Sequence, residues 1–317
     1  MKTNMIRENF RPSNFKAVAH LIIPLILLGG GLYLSLAPTF WIYLTGQVLL
    51  GLFFFQCFIL LHETGHHSFF NNKTLNTLFS HLFGFLSFIP ATSWVAIHNL
   101  HHRWTGWRDK DPTTAGTVKP SYGKLTRFIV NFSWWLWIPV FTIGYRYGNY
   151  WHLAKIKKYV SVQKTAVIRW NVVILLLLYT ALFVFFGRWM LIYLGPGYLI
   201  SLMISDVFIL SQHSHIEIPI AGNEEVKPLR YKDQIPYTRS VRFTKAVAEW
   251  LFFNFNLHEL HHAYPGLPAY HLAKIDYASP NKVGFFHYLT DAKRMPGMRF
   301  IFSTSGKKVG ERKLKSG

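Results

Sequence analysis

The sequence predicts an all-α integral membrane protein, with four transmembrane helices in two hairpins and a cytoplasmic helical cap that holds a dimetal site. Three observations carry that prediction. Of the 317 residues, 50% are hydrophobic and only 15% are charged, whereas soluble domains average about 25% charged. Charges are absent from residues 17–62, and between Arg169 and Asp206 only Arg188 interrupts the apolar run. Sixteen histidines are present, and nine of them fall in three short clusters. This balance excludes a disordered chain and an ordinary cytosolic enzyme.

A basic N-terminal stretch (Lys2, Arg7, Arg11, Lys16) precedes an apolar run ending Ser35-Leu36-Ala37, which is the outline of a secretory signal. Pro38 follows at once, and the run exceeds the usual core of about 7–15 residues, so residues 17–37 read as an uncleaved first span. A turn at Pro38-Thr39 leads into the second span, 40–61; about 20 apolar residues suffice to cross a bilayer. The single cysteine, Cys57, lies in it and forms no internal disulfide. The second hairpin is predicted over 165–186, a turn at Gly187-Arg188-Trp189, and 190–210.

By hydropathy alone, Thr74–Ile97 and Phe128–Tyr145 would raise the count to six. Histidine clusters flank the first of them, at 62–67 and 98–102, and must share one side if they serve one site. That segment must therefore return to the side it left, and Pro90 breaks its helical hydrogen bonding. The second holds Trp134, Trp135, Trp137 and Tyr145, residues at home among headgroups, and likewise must not cross singly. The whole chain then forms one domain with its cap over 62–164 and 211–306, and residues 307–317 are expected to be a disordered tail.

The formal net charge is +20, which in a soluble protein would point to nucleic acid. Lys and Arg divide as 4 before the first hairpin, 12 between the hairpins and 16 after the second, with Arg169 and Arg188 making up the 34. All three segments lie on one face in this topology, and the positive-inside bias makes that face cytoplasmic. Anionic lipid headgroups attract the same charges, and nucleic acid is not an expected partner.

The clusters read His62-Glu63-Thr64-Gly65-His66-His67, His98-Asn99-Leu100-His101-His102 and His258-Glu259-Leu260-His261-His262. On a helix, residues three and four apart share a face, so each cluster aims two or three imidazoles at one point. Eight or more such ligands exceed what one tetrahedral zinc uses, so two metals are implied. An all-nitrogen site suits zinc, copper, nickel or iron. The membrane context, with no soluble substrate domain, favours redox chemistry on a hydrocarbon, hence iron and dioxygen.

These clusters resemble the three histidine boxes of the membrane fatty acid desaturase superfamily. The likeness extends to H-E-T-G-H-H-S-F-F-N-N-K at the first box and H-H-A-Y-P-G-L-P-A-Y-H-L at the third. It covers roughly residues 40–275. The resemblance implies that His62, His66, His98, His101, His102, His258, His261 and His262 are metal ligands. It adds one more from the end of the last span, where Gln212-His213 matches the family's pattern and His215 is the alternative. His67 is an extra histidine: a ligand in place of His66 if the longer register applies, and otherwise a neighbour of the ligands. Carboxylates that orient imidazoles are expected at such sites; Glu63 and Glu259 sit inside boxes, and Asp206 lies two helical turns before His213. His20 and His81 read as core histidines, and His152, His271 and His287 as surface.

The activity implied is desaturation of a fatty acyl chain, free or carried on lipid, CoA or a carrier protein, by two iron ions (Fe2+/Fe3+), dioxygen and two electrons. No H-P-G-G word of a fused cytochrome b5 occurs, so a separate donor such as a ferredoxin or cytochrome b5 is expected. The same dimetal centre would also serve a hydroxylase, ketolase or oxidative decarboxylase. A non-catalytic metal transporter or sensor would instead need metal-binding polar groups within its spans, and apart from His20 the predicted hairpins hold no histidine or carboxylate before Asp206.

Overall fold

A computed structural model describes residues 10–118, 121–277, 279–303 and 309–310. Nearly all of the predicted tail lies outside the described residues, as do Lys2 and Arg7. The protein is mostly helical. Ser13 caps α1 (Asn14–Ser35) by accepting from the Lys16 amide, and α1 packs along α2 (Phe40–Gly65). A Cβ on Gly31 would meet Leu50 and the Gly46 carbonyl, and one on Gly46 would meet Ser35, so glycines at both positions let the two backbones touch. α2 is the buried centre of the molecule, with α1, α3 (Lys73–Leu86) and α9 (Gly195–His213) against it.

Two bent pairs follow the first hairpin. α3 and α4 (Ala91–Trp104) meet at 104°; α5 (Lys124–Trp135) and the stretch from α6 (Val140–Arg146) to Trp151 meet at 116°. Pro90 and Pro139 start the second limb in each case, and Phe88 and Trp137 take positive φ just before them. Carbonyls freed at the first bend find partners inside the protein: Arg146 and the Tyr198 hydroxyl donate to the Ser87 oxygen, and the Trp151 indole to that of Phe88. Irregular backbone in apolar surroundings requires such partners. After the short α7 (Leu153–Ile156), the chain enters α8 (Val162–Tyr193), 32 residues and about 48 Å long.

The predicted turn at Gly187-Arg188-Trp189 does not occur. α8 runs through it and breaks at Leu194, and α9 begins with Pro196 in its first turn. Glycine inside a helix costs only about 1 kcal/mol, less than leaving backbone groups unpaired in lipid, whereas proline has no N–H with which to continue α8. Buried Gln47 of α2 ties these ends together, donating to the Ser35 hydroxyl and the Tyr193 carbonyl and accepting from the Gly197 amide.

Among the described residues three helices, α1, α2 and α8, are long and apolar enough to cross a membrane, and up to five if each bent pair counts as one. Ser201, Ser205, Asp206, Ser211 and Gln212 dilute α9, which is not among them. Exposed Leu, Ile, Val and Phe cover the outer faces of α1 and α8, surfaces suited to lipid; this is a membrane protein. Beyond α9 the chain is largely irregular. It holds α10 (His258–Ala263), α11 (Ala269–Leu272), α12 (Phe285–Arg294), α13 (Gly297–Phe302) and a two-residue parallel pair, Val241–Arg242 with Val283–Gly284.

Candidate metal centre

Four helix segments converge where α2 and α9 end. α2 continues past the predicted span limit at Leu61 to Gly65, so His62 sits on its last turn and His66 caps it. α4 carries His98, His101 and His102, α9 ends on His213, and α10 carries His258, His261 and His262. The nine imidazoles form two groups. His62, His66, His98, His102 and His261 make one and His101, His213, His258 and His262 the other, with the ring nitrogens of each group within 4.8 Å of one another. Residues four apart stay together: His98 with His102 in the first group, His258 with His262 in the second. The residue at the third step, His101 or His261, turns about 60° away around its helix and joins the opposite group.

Within the first group, His98 Nε2 lies 2.9 Å from His66 Nε2 and 3.0 Å from His102 Nε2, which is 3.0 Å from His261 Nε2. In the second, His258 Nε2 is 2.8 Å from His213 Nε2 and 3.1 Å from His262 Nε2. One imidazole proton cannot bridge several nitrogens at once, but a metal about 2.1 Å from each nitrogen sets right-angled edges of about 3 Å. His62 Nε2 is buried and has no hydrogen-bond partner among the described residues. The residues fit a metal in each group. Burial first, and the neighbouring imidazoles second, hold His98, His102, His258, His261 and His262 well below the ordinary histidine range, so their lone pairs are available as ligands.

The outer nitrogens are tied down. His213 Nδ1 donates to the Tyr237 carbonyl (3.2 Å), which fixes Nε2 as the inward lone pair. Gln234, fully buried, donates to the His102 and Leu229 carbonyls, leaving its oxygen to accept from His262 Nδ1 (3.0 Å). His62 Nδ1 faces Glu63 Oε1 (3.0 Å), while Glu63 Oε2 accepts from the Ala269 amide (2.9 Å). His101 Nδ1 is 2.6 Å from Asp111 Oδ2 and 3.1 Å from the Thr113 hydroxyl, and that threonine donates twice to Asp111 Oδ1. Sequence reasoning missed Asp111, Thr113, Gln234 and Tyr237. The available signal was that Asp and Glu together number 14, which makes Asp111, soon after the second box, a rare carboxylate.

Other candidates lie elsewhere. His67, exposed and at φ 54°, and His215, whose Nδ1 donates to the Ser303 carbonyl, belong to neither group. Glu259 accepts from the Asn281 amide rather than an imidazole. Asp206 accepts from the Thr142 amide (2.6 Å), so the carboxylate expected to orient imidazoles holds the start of α6 instead. His20 is buried as expected, stacked on Trp250, and His152 and His287 are exposed. Two expectations fail: His81 is exposed because α3 buries the face of Asn76, Ser80, Phe83 and Gly84 and leaves His81 outside it, and His271 is buried because Phe10 and Tyr270 cover its ring.

A cavity of about 50 Å3 reaches His213 and adjoins one of about 260 Å3 beside Trp134 and Asp206; Thr113, Thr117, Phe141, Tyr145 and Ile301 line both.

The profile of the fatty acid desaturase family matches residues 38–290. An sn-1 oleoyl-lipid 12-desaturase of Picosynechococcus sp. is 28% identical over 278 residues, 82% of this chain and 74% of its own length. An endoplasmic-reticulum omega-3 fatty acid desaturase of Nicotiana tabacum is 27% identical over 304 residues, 86% of this chain and 75% of its own. An sn-1 acyl-lipid omega-3 desaturase (ferredoxin) of a Nostoc species is 24% identical over 310 residues, 90% and 81%.

Proposed function

The chain belongs to the fatty acid desaturase family and is an oxidoreductase, and from that premise we propose that it is a di-iron acyl-lipid desaturase working at the cytoplasmic face of a membrane. The observation that carries the proposal is the division of nine imidazoles, seven buried and two half-buried, into two groups. Each group would hold one iron: His62, His66, His98, His102 and His261 the first, His101, His213, His258 and His262 the second. Bound iron would supply the oxidation: with dioxygen, two electrons from a separate donor and two protons from solvent, one hydrogen would be taken from each of two adjacent methylenes, leaving the carbon pair doubly bonded and both oxygen atoms as water.

The chain's own residues do the rest. Asp111, Glu63, Gln234 and the Tyr237 carbonyl hold protons on the outer nitrogens and keep the inner lone pairs aimed. The connected cavities beside His213 take the acyl chain, with Phe141, Tyr145 and Ile301 excluding water and limiting which carbons reach the centre. Four spans, α1, α2, α8 and α9, place every box on one side. The bent pairs rest at the interface without crossing, residues 62–164 and 211–306 form the cap, and the basic segments face the cytoplasm. The acyl carrier is a glycerolipid, consistent with the acyl-lipid names of the Picosynechococcus and Nostoc relatives, and the donor is of ferredoxin type, as in the name of the Nostoc one.

Expression in a host without desaturases, followed by mass spectrometry of its lipids, tests the reading. Alkene-containing acyl chains are expected from the native chain and none from His101→Ala. Hydroxylated acyl chains or shortened hydrocarbons from the native chain would refute desaturation in favour of the related oxidations.

A further inference from the structure

A third cavity, of about 270 Å3, lies in the bend between α3 and α4 against the first turns of α8. It is separate from the two that approach His213 and shares no lining residue with them. Its rim carries His67, His81, Asn99 and Lys164, all exposed. None of these four side chains makes a hydrogen bond or ion pair among the described residues. The hydroxyls in the wall are already engaged: Thr92 donates to Asn171, Ser80 to the Thr77 carbonyl and Thr77 to that of Lys73. No lining residue is acidic, and the apolar lining includes half-buried Val95 and buried Ile168, with exposed Val167 at the edge.

We propose that this cavity binds the phosphodiester headgroup of a membrane glycerophospholipid. One fixed cation, three further side chains able to donate N–H bonds and no carboxylate select an anion with several acceptor oxygens. The position selects its source. Lys164 stands in the first turn of α8, where that helix would enter the bilayer, and Val167 and Ile168 follow one turn deeper. A ligand seated here has its charge at the headgroup level and its apolar part against α8, which matches the junction of phosphate, glycerol and acyl chain and not a free ion. Neither iron nor the acyl substrate is required at this site. The inference does rest on the reading that α8 enters a membrane. An occupied cavity would brace α3 and α4 against α8, one turn behind the end of α2 that carries His66.

Native mass spectrometry of the detergent-solubilised, metal-loaded protein tests this with three probes: dioleoylphosphatidylglycerol, dioleoylglycerol and inorganic phosphate. The phospholipid should show a saturable, Lys164-dependent binding event distinct from occupancy of the cavities beside His213, and dioleoylglycerol should show that event at least about tenfold more weakly. Lys164→Glu should weaken phospholipid binding about tenfold or more, Lys164→Arg should retain it, and Lys124→Glu at the remote start of α5 should leave it unchanged. Metal content of each variant serves as the folding control, because Lys164 and Lys124 are exposed and belong to neither imidazole group. Equal binding of dioleoylglycerol, or unchanged binding in Lys164→Glu, overturns the proposal; binding of inorganic phosphate as tight as that of the phospholipid overturns the lipid assignment. These readouts involve no desaturation, so they stand apart from the fate of the proposed activity.

Discussion

Asp111 is the strongest single lever on the centre that lies outside the histidine clusters. Its Oδ2 is 2.6 Å from His101 Nδ1, and its Oδ1 accepts both the amide and the hydroxyl of Thr113, each at 2.8 Å. Replacing it by Asn keeps the shape and removes the charge, and no orientation of the amide satisfies every neighbour. With the oxygen kept on Thr113, the NH2 group faces His101 Nδ1 and forces that ring's proton onto Nε2, where it blocks the inward lone pair. With the amide flipped, two donors of Thr113 meet a donor. Loss of one buried charge-assisted hydrogen bond costs about 1.5–3 kcal/mol, or about ten- to a hundredfold in metal affinity, the usual range for such orienting groups. Because His101 belongs to the group of four, Asp111→Asn should lose metal from that group alone. Inductively coupled plasma mass spectrometry after dialysis against graded chelator should show content falling from about two ions per chain to about one. Asp111→Glu should restore part of the loss. A chelator midpoint identical to that of the native protein for both ions would refute the argument.

Four further outcomes follow from the same geometry. His213→Ala should lose metal and activity, by more than about a hundredfold in affinity, while His215→Ala keeps both; the reverse pattern in a side-by-side metal assay would reassign the ligand. Gly65→Ala should destabilise the protein by about 1–3 kcal/mol, because the added methyl would overlap the Trp94 indole that stacks on His98; an unchanged melting temperature with unchanged metal content would contradict this. In the metal-stripped protein, His98, His102, His258, His261 and His262 are held below the ordinary value of 6.5 by burial. Stability is therefore full above about pH 6.5 and falls as acid is added, by about 1.4 kcal/mol per pH unit for each proton the unfolded chain takes up in excess; a flat melting temperature between about pH 8 and pH 5 would count against it. For topology, a cysteine at Arg188 should react with a membrane-impermeant thiol reagent in intact cells, and one at Arg230 only after permeabilisation. Cys57 is buried and contributes no background, and labelling at Arg230 from outside would refute the four-span arrangement.

Much of the fold is legible in the chain because its signals are local. Charge-free runs mark α1, α2 and α8, Pro90 marks the bend between α3 and α4, and a spacing of four marks which histidines share a helix face. Each follows from backbone geometry or solvent preference over a few turns. The turn after α8 is misread for a related reason: glycine and arginine at 187 and 188 look like punctuation, yet in apolar surroundings unbroken hydrogen bonding carries the helix on until Pro196 prevents it.

What the tertiary structure alone decides is how the clusters are shared out. A box is contiguous in sequence, but His101 leaves His98 and His102 for the other group, and His261 leaves His258 and His262. That division depends on how α4 and α10 are rotated about their axes relative to α2, and those rotations are set by contacts between distant residues, such as Gly65 against Trp94 and Gln234 between His102 and His262. The same holds for the carboxylates. Asp206 and His213 share a helical period, yet packing of α6 turns Asp206 to the Thr142 amide, and the loop after α4 brings Asp111 to His101. Periodicity along one helix specifies which side chains point together; the direction in which they point is a property of its neighbours.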